Sequence, residues 1–384
     1  MTPSPPLAVI PTVAETLAHP AFPTAIWNLE PDRKGLAPVA EGRGGPFNIS
    51  WEIHGEGPIK VTFIMGLGGL KSAWQRQTLH FGHERRTEYS VLLIDNRGMG
   101  DSDKPLMRYS SSEMARDLAD VLTHVGWLGP SAPPKRRSIH VVGLSLGGMI
   151  AQELACLHPE AISTLSLCCT AAEIENTTTF AENMALRASM LIPKSVDRSI
   201  ADAARMLFNR AWLTQPDNVH LPTPGVTPNC HPPADLPFTP PIPSSSPPLK
   251  SETAAEEETY LTFRNNAMRF VAQEMHKRLD ASRFGIKGFI LQLVAAGWHR
   301  KTAAQLSALA DAVGRDRILV MHGTDDGMIS PPHGRKLIAA LEPAKALVVD
   351  GMGHAPIVER WAWFNKTMEA QFAVGEKLDR EVSV

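Results

Sequence analysis

The chain has 384 residues, of which 43% are hydrophobic, and its 38 Lys and Arg nearly balance its 40 Asp and Glu, for a net charge of −2. The apolar content is enough for a sizeable core, and the length favours one large domain with an insertion. The near-neutral charge excludes the basic surface of a nucleic-acid or polybasic membrane-binding protein. No apolar run approaches the roughly 18–20 residues that a transmembrane helix needs, so we expect no stable membrane insertion.

The cysteines and the N-terminal residues bear on compartment and on metal binding. The cysteines lack the spacing of a metal site or a disulfide framework, and they are Cys156, Cys168, Cys169 and Cys230. Residues 1–23 lack the basic and apolar regions of a secretory signal. We therefore expect a cytoplasmic protein with reduced thiols and no bound metal.

Strand and helix patterns alternate over most of the chain. Residues 1–45 are punctuated by Pro and Gly and predict an extended N-terminal lead-in. Alternating apolar and polar residues over 47–54 predict an antiparallel strand, half-buried in the sheet. Short apolar, β-branched runs predict further strands at 59–65, 90–95, 138–143, 162–168, 317–322 and 346–349, and those at 90–95, 162–168 and 317–322 have the pattern of buried parallel strands. Helical patterns between these runs predict a mostly parallel sheet with helices on both faces.

The alternation stops between residues 173 and 300. Helical patterns predict helices at 180–191, 195–212, 259–279 and 286–298. The Pro-rich stretch 215–249 shows no periodicity and predicts a disordered or loosely extended loop. We expect residues 173–300, called the cap below, to form a helical insertion in a core made of residues 46–172 and 301–384.

The sequence Gly143-Leu144-Ser145-Leu146-Gly147 joins a predicted strand to a predicted helix. A Gly-x-Ser-x-Gly in this context is typical of a nucleophile elbow, which holds its serine in a strained turn at the top of the sheet. The glycines fit because side chains there would collide with neighbouring backbone. The pattern alone is common, and a closely packed Gly-rich turn without chemistry is the alternative interpretation.

Other segments that follow predicted strands carry the remaining residue types needed for acyl transfer. They are the Gly-rich loop 66–69, residues 323–326 with two aspartates, and residues 351–354 ending in His354. In a parallel sheet the carboxyl ends of the strands share one edge, where the active crevice lies. A serine nucleophile needs a base such as imidazole, a carboxylate to orient it, and backbone amides for the oxyanion. The two other histidines near this edge are expected to be structural (His322) and at the surface (His333).

Five motifs appear in a fixed order along the chain: Met65-Gly66-Leu67-Gly68-Gly69, Asp95-Asn96-Arg97-Gly98-Met99-Gly100-Asp101-Ser102, Gly143-Leu144-Ser145-Leu146-Gly147-Gly148, Gly323-Thr324-Asp325-Asp326 and Gly351-Met352-Gly353-His354. With these motifs the sequence resembles the α/β-hydrolase fold family, in its esterase, lactonase and C–C hydrolase branch. The resemblance covers the chain outside the cap and the lead-in. It implies an α/β-hydrolase fold with an inserted helical cap.

The resemblance also implies roles for individual residues. Ser145 is similar to the family's nucleophile and His354 to its general base. The family's acid usually lies three residues after the glycine that ends its strand, which favours Asp326 over Asp325. The oxyanion donors implied are the backbone amides of Leu67 and Leu146. Met65 stands where the family often has histidine, which leaves the amide role unchanged.

These features predict a serine hydrolase that acts on a small to medium apolar ester, thioester or lactone through an acyl-enzyme on Ser145, without a cofactor. A serine at the elbow argues against the family branches that use a carboxylate there, such as epoxide hydrolases. C–C bond hydrolysis, acyl transfer to an alcohol and ligand binding without turnover stay open as alternatives. The sequence determines neither the substrate nor the oligomeric state.

Overall fold

One sheet of eight strands organises the computed structural model, which describes residues 10–129, 137–175, 194–236 and 259–381. The strand order is β1-β2-β4-β3-β5-β6-β7-β8. The pairs β1–β2 and β2–β4 are antiparallel, and every other neighbouring pair is parallel, which confirms the predicted mostly parallel sheet. The strands are Arg33–Val39 (β1), Phe47–His54 (β2), Ile59–Ile64 (β3), Tyr89–Ile94 (β4), Ile139–Leu144 (β5), Ile162–Cys168 (β6), Ile318–Gly323 (β7) and Lys345–Val349 (β8).

Helices cover both faces of the sheet, as predicted. Those described are Val13–Leu17 (α1), Gln75–Gln77 (α2), Ser111–His124 (α3), Leu146–Leu157 (α4), Val196–Leu207 (α5), Arg210–Thr214 (α6), Asn266–Leu279 (α7), Ile286–Trp298 (α8), Ala303–Val313 (α9), Pro331–Leu341 (α10), Pro356–Glu359 (α11) and Trp361–Glu381 (α12). Short 3₁₀ turns and a π-helical segment, Thr78–Glu84, complete the connections.

The core lies in two layers because successive strand residues point to opposite faces. Val141 of β5 packs in a cluster that includes apolar side chains of α3, α4, α9 and α10. Its neighbour Val142 packs in a second cluster with Phe364 and Phe372 of α12. Both residues are fully buried. Burial on both faces explains why the central strands read as continuous apolar runs in the sequence.

Part of the expected N-terminal lead-in belongs to the sheet. Residues 33–39 form β1, and α1 precedes it within the same segment. Gly35 and Pro38 give this stretch the composition of a loop. Pro38 is tolerated because β1 is an edge strand that pairs with β2 alone and needs fewer ladder hydrogen bonds.

The helix predicted over 195–212 is two helices. The Leu207 carbonyl accepts the backbone N–H of His354 at 2.7 Å instead of the next helical hydrogen bond, and α5 ends at this residue. The Asn209 side chain then caps α6 by accepting from the N–H of Ala211 and of Trp212. The helix predicted over 259–279 begins later, at Asn266, while the one predicted over 286–298 matches α8.

Residues 215–236 of the Pro-rich stretch form an irregular segment that packs on the rest of the molecule, which fits the loosely extended alternative of the prediction and not the disordered one. Asp217 accepts hydrogen bonds from the Phe263 N–H and from the Arg269 side chain, both at 2.7 Å. Cys230 forms a β-bridge with Leu29. Residues 237–249 of that stretch and the helix predicted over 180–191 lie outside the described residues.

Among the described helices, none has both the length and the apolar character needed to cross a bilayer.

A buried ion pair supports the loop after β4. The Arg97 guanidinium bonds both carboxylate oxygens of Asp117, at 2.5 and 2.6 Å, and stacks between the rings of Phe47 and Tyr109. Arg97 and Asp117 are 1% and 2% exposed. Removing one partner of such a pair leaves the other charge buried without compensation.

We predict that Asp117→Ala lowers the free energy of unfolding by about 3–5 kcal/mol, measured by denaturant titration. The matched control is Glu30→Ala, which removes the exposed ion pair with Lys34 and should cost less than about 1 kcal/mol. Equal effects of the two substitutions would contradict the role given to the buried pair.

Candidate active site

Ser145 lies in a strained turn between β5 and α4. Its backbone angles are φ 58° and ψ −122°, outside the regions that side chains favour. The surrounding backbone holds this conformation, because the Ser145 N–H donates to the Cys168 carbonyl at 2.9 Å and the Ser145 carbonyl accepts from the Thr170 hydroxyl at 2.7 Å. The residue is 9% exposed. Strain maintained by its neighbours in this way is typical of functional positions.

The two glycines of the turn are required by close approach. A Cβ on Gly147 would lie 2.0 Å from the Ile64 carbonyl oxygen at the end of β3, and one on Gly143 would lie 2.3 Å from the Gly147 carbonyl oxygen. Both obstacles are backbone atoms, which cannot move aside as a flexible side chain can. The Gly-x-Ser-x-Gly pattern therefore reflects the packing of this turn against β3.

The Gly-rich loop after β3 lies directly beside Ser145. A Cβ on Gly66 would be 2.9 Å from the Ser145 Cβ and 3.4 Å from its Oγ. Leu67 follows in this loop, and Leu146 is the first residue of α4. Within the part of the chain that the structure describes, the backbone N–H of neither residue has a hydrogen-bond acceptor. Two uncommitted amides near a serine hydroxyl are suited to bind an oxyanion.

Asp326 and His354 form a buried pair at the ends of β7 and β8. The His354 Nδ1 lies 2.8 Å from the Asp326 Oδ2, and the residues are 3% and 4% exposed respectively. The other carboxylate oxygen, Oδ1, accepts the N–H of Met328 and of Ile329 at 2.9 and 2.8 Å. With both oxygens held, the carboxylate can fix the ring orientation and tautomer of His354.

The electrostatics keep Asp326 ionised. Burial alone would raise the pKa of this carboxyl, but the charge of His354 and hydrogen bonds from His322 and His354 outweigh it, so the pKa lies well below its usual range. His322 Nε2 is 3.2 Å from the Asp326 Oδ2 and 2.7 Å from the Ile329 carbonyl oxygen. The sequence identifies His322 as structural but does not reveal its contact with the acid.

The neighbouring aspartate is directed elsewhere. The Asp325 Oδ2 accepts a hydrogen bond from the Asn209 side-chain amide at 2.6 Å, in the segment between α5 and α6. Asp325 is exposed, whereas Asp326 is buried. The structure therefore gives His354 a single carboxylate partner from this pair, and that partner is Asp326.

Cys169 occupies the end of β6, between the serine turn and the Asp–His pair. Potential ligand atoms of Cys169, Asp326 and His354 all lie within 4.8 Å of one another, so among the described residues this group could hold a metal. Burial, followed by the charge of Asp326, raises the pKa of the Cys169 thiol well above its usual range. The neutral thiol instead donates weakly to the Gly353 carbonyl, at 3.8 Å. The position of Cys169 directly after a strand end is the sequence signal that could have placed it here.

Residues of the cap contact the loop that carries His354. Besides accepting from His354, the Leu207 carbonyl accepts the Ala355 N–H at 3.3 Å. The Glu359 carboxylate accepts the N–H of Gly353 and of Asn209, both at 3.1 Å.

His333 is buried, so the prediction of a surface residue is wrong. Its Nδ1 forms a hydrogen bond with the Ser330 hydroxyl, and its Nε2 accepts the Glu175 N–H.

These groups at the carboxyl edge of a mostly parallel sheet are those of an α/β fold built around a nucleophile elbow. A sequence model described as the alpha/beta hydrolase family matches residues 53–367. The chain therefore belongs to the alpha/beta hydrolase family, which confirms the resemblance carried by its five motifs.

Similar proteins of known sequence match only in part. A putative carbamate hydrolase RutD of Azorhizobium caulinodans is 34% identical over 124 residues, which are 32% of this chain and 42% of that protein. A putative 2-succinyl-6-hydroxy-2,4-cyclohexadiene-1-carboxylate synthase of Bacillus subtilis is 27% identical over 178 residues, 45% of this chain and 56% of that protein. The chain thus spans about half the length of these relatives.

Solved structures share the fold over most of the chain. A thermophilic esterase from Thermogutta terrifontis is 17% identical with a TM-score of 0.59, covering 89% of this chain and 99% of its own. The enol-lactonase from Burkholderia xenovorans LB400 is 19% identical with a TM-score of 0.57, covering 88% and 100%. At these identities the likeness shows the fold alone.

We predict a specific pH dependence of stability from Asp326. Its folded-state pKa lies below its unfolded value of about 3.9, so its ionised form stabilises the fold above that pH and this contribution is lost as the pH falls further. The wild type should therefore lose its stability advantage over Asp326→Asn as the pH falls below about 4. Unfolding free energies of both proteins, measured by denaturant titration at a series of pH values, check this. A difference that is constant over the whole series would contradict it.

Proposed function

We propose that this protein is a serine hydrolase that cleaves a small to medium apolar ester, thioester or lactone through an acyl-enzyme on Ser145. The observation that carries the proposal is the buried Asp326–His354 hydrogen bond of 2.8 Å at the same sheet edge as the strained Ser145 turn. Neither feature is needed to fold a parallel sheet, and together they supply an oriented base and a nucleophile.

In the proposed reaction the Ser145 hydroxyl attacks the substrate carbonyl while His354 accepts its proton. Asp326 stabilises the imidazolium that forms and remains ionised. The amides of Leu67 and Leu146 donate to the oxyanion of the tetrahedral intermediate. The imidazolium then protonates the leaving alcohol or thiol, which departs and leaves the acyl group on Ser145. Water, deprotonated by His354, then attacks the acyl-enzyme to form a second tetrahedral intermediate. This intermediate breaks down as the imidazolium returns the proton to the Ser145 oxygen, which releases the carboxylic acid.

Aromatic side chains of the cap support an apolar substrate. Phe289 of α8 and Phe284 just before it flank the Gly-rich loop, since a Cβ on Gly68 would lie 2.8 Å from the Phe289 ring and 3.5 Å from that of Phe284. Both rings are half-buried. Two of the structural neighbours are an esterase and an enol-lactonase, which agrees with ester and lactone chemistry.

We predict that Ser145→Ala lowers kcat by at least about 10⁴-fold on p-nitrophenyl esters that the wild type cleaves. A series from acetate to decanoate also sizes the acyl pocket. The control is Ser166→Ala, a buried serine of β6 that takes no part in the proposed site. A fluorophosphonate probe should label the wild type and not the Ser145 variant. Ester cleavage that survives Ser145→Ala would refute the proposal, and a wild type that neither cleaves any ester nor reacts with the probe would favour ligand binding without turnover.

The paired aspartates offer a matched test of the acid. Asp326→Asn should lower kcat by about 10³–10⁴-fold, because the amide cannot stabilise the imidazolium and favours the wrong tautomer of His354. Asp325→Asn makes the same chemical change at the adjacent residue, which hydrogen-bonds Asn209, and should leave kcat within about threefold. Initial rates at saturating ester measure both. A larger loss in the Asp325 variant would transfer the role to that residue.

A further inference from the structure

One glutamine of the cap connects the helix α8 to the loops at the active edge. Gln292 is fully buried, on a helix whose other buried residues are Gly288 and Ala295. These three lie on one face, four and three residues apart. The small neighbours let the helix approach the core backbone, since a Cβ on Gly288 would lie 2.1 Å from the Gly98 carbonyl oxygen.

Both ends of the Gln292 amide bind backbone groups of loops that follow strands. Its Oε1 accepts the Gly68 N–H at 2.9 Å, in the loop after β3. Its Nε2 donates to the Arg97 carbonyl at 3.0 Å, in the loop after β4. The side chain therefore joins the loop after β3 to the loop after β4, beyond Phe63 and Leu93, the last residues that pair these two strands with each other.

The Gly68 contact bears on the proposed oxyanion donor Leu67. Residues 66–69 form a tight turn in which the Gly69 N–H donates to the Gly66 carbonyl at 3.2 Å and Gly68 has a φ of +64°. In such a turn the N–H of the second residue, here Leu67, is left free. By holding the Gly68 N–H, Gln292 fixes the peptide that follows Leu67 and prevents the turn from rotating.

We infer that Gln292 is a positioning residue of the oxyanion hole, an inference that rests on the proposed function. It acts through the Gly66–Gly69 turn, keeping the Leu67 N–H directed at the carbonyl oxygen of a substrate attached to Ser145. An oxyanion donor that is misplaced by a fraction of an ångström loses much of its effect on the transition state while ground-state binding changes little.

The test is Gln292→Met, which keeps the side-chain volume and removes both hydrogen bonds. We expect kcat on the best p-nitrophenyl ester to fall by about 10- to 100-fold with KM changed less than about threefold. Affinity for an alkylboronic acid, which forms a tetrahedral adduct with a serine, should fall by a similar factor. Affinity for the carboxylic acid product should not change, because the acid places no developing oxyanion in the hole.

The matched control is Gln371→Met. Gln371 is a glutamine of α12 that is 1% exposed and donates to the Arg317 carbonyl at 3.1 Å, at the amino edge of the sheet. The substitution Gln371→Met should lower the free energy of unfolding as Gln292→Met does, but it should leave kcat unchanged. If Gln292→Met does not fold, Gln292→Asn keeps the amide but is too short to reach both loops, and the same loss of kcat is expected.

The outcomes separate this inference from the proposed function. If Gln292→Met lowers kcat no more than Gln371→Met does, Gln292 supports packing instead. If it raises KM and leaves kcat unchanged, Gln292 supports substrate binding instead. If the wild type neither cleaves esters nor reacts with a fluorophosphonate, the proposed function fails first. Hydrogen exchange then still tests the contact without turnover, because exchange of residues 66–69 should accelerate in Gln292→Met and stay unchanged in Gln371→Met.

Discussion

The close approach of β3 and β5 at the carboxyl edge of the sheet is the constraint on which the rest of the site depends. These strands are parallel neighbours, with Ile64 paired with Gly143. The backbone of the serine turn then comes so near to β3 that only glycine fits at Gly147. The same approach brings Gly66 against Ser145. A strained nucleophile and a facing backbone amide are therefore two consequences of one packing contact.

Asp326 and Arg97, two charged residues in loops that follow strands at this edge, are buried, and each is held by defined partners. Asp326 is ionised because His354, His322 and two backbone amides surround it. In the next loops, Arg97 is paired with Asp117 while its carbonyl binds Gln292. The residue that forms this ion pair is thus joined to the turn of Leu67 through the side chain of Gln292. Because buried charges cost solvation, such pairs add little net stability over apolar residues of the same volume, whereas the loss of one partner alone is costly.

The sequence predicts the parts of the structure that local patterns determine. The strands from β3 to β8 have short apolar runs of the right length, and the residues after the ends of β5, β7 and β8 contain Ser145, Asp326 and His354. The edge strand β8 is only partly buried. Prediction from the sequence fails where contacts between residues far apart in the chain determine the structure. Pro38 makes β1 look like a loop, and only the edge position of the strand makes the proline acceptable. The prolines of residues 215–236 predict a disordered or loosely extended loop. Hydrogen bonds from Phe263 and Arg269 to Asp217 hold that stretch on the rest of the molecule. The position of Cys169 after a strand end indicates the active edge but not its contact with the Asp–His pair, and no local pattern places Gln292 beside the Gly-rich loop.

The cap contributes to the geometry of the site on two sides. At one side the Leu207 carbonyl holds the backbone of His354, which is why the helix predicted through this point ends there. At the other side Gln292 holds the turn of Leu67. His354, the proposed base, and the turn of Leu67, the proposed oxyanion donor, are therefore each hydrogen-bonded to the inserted segment, whereas the Ser145 backbone is held by Cys168 and Thr170 of the core. In the proposed reaction the attacking oxygen, the base and the oxyanion donor must be aligned together, so the position of the cap relative to the core would set their alignment as well as the space for a substrate.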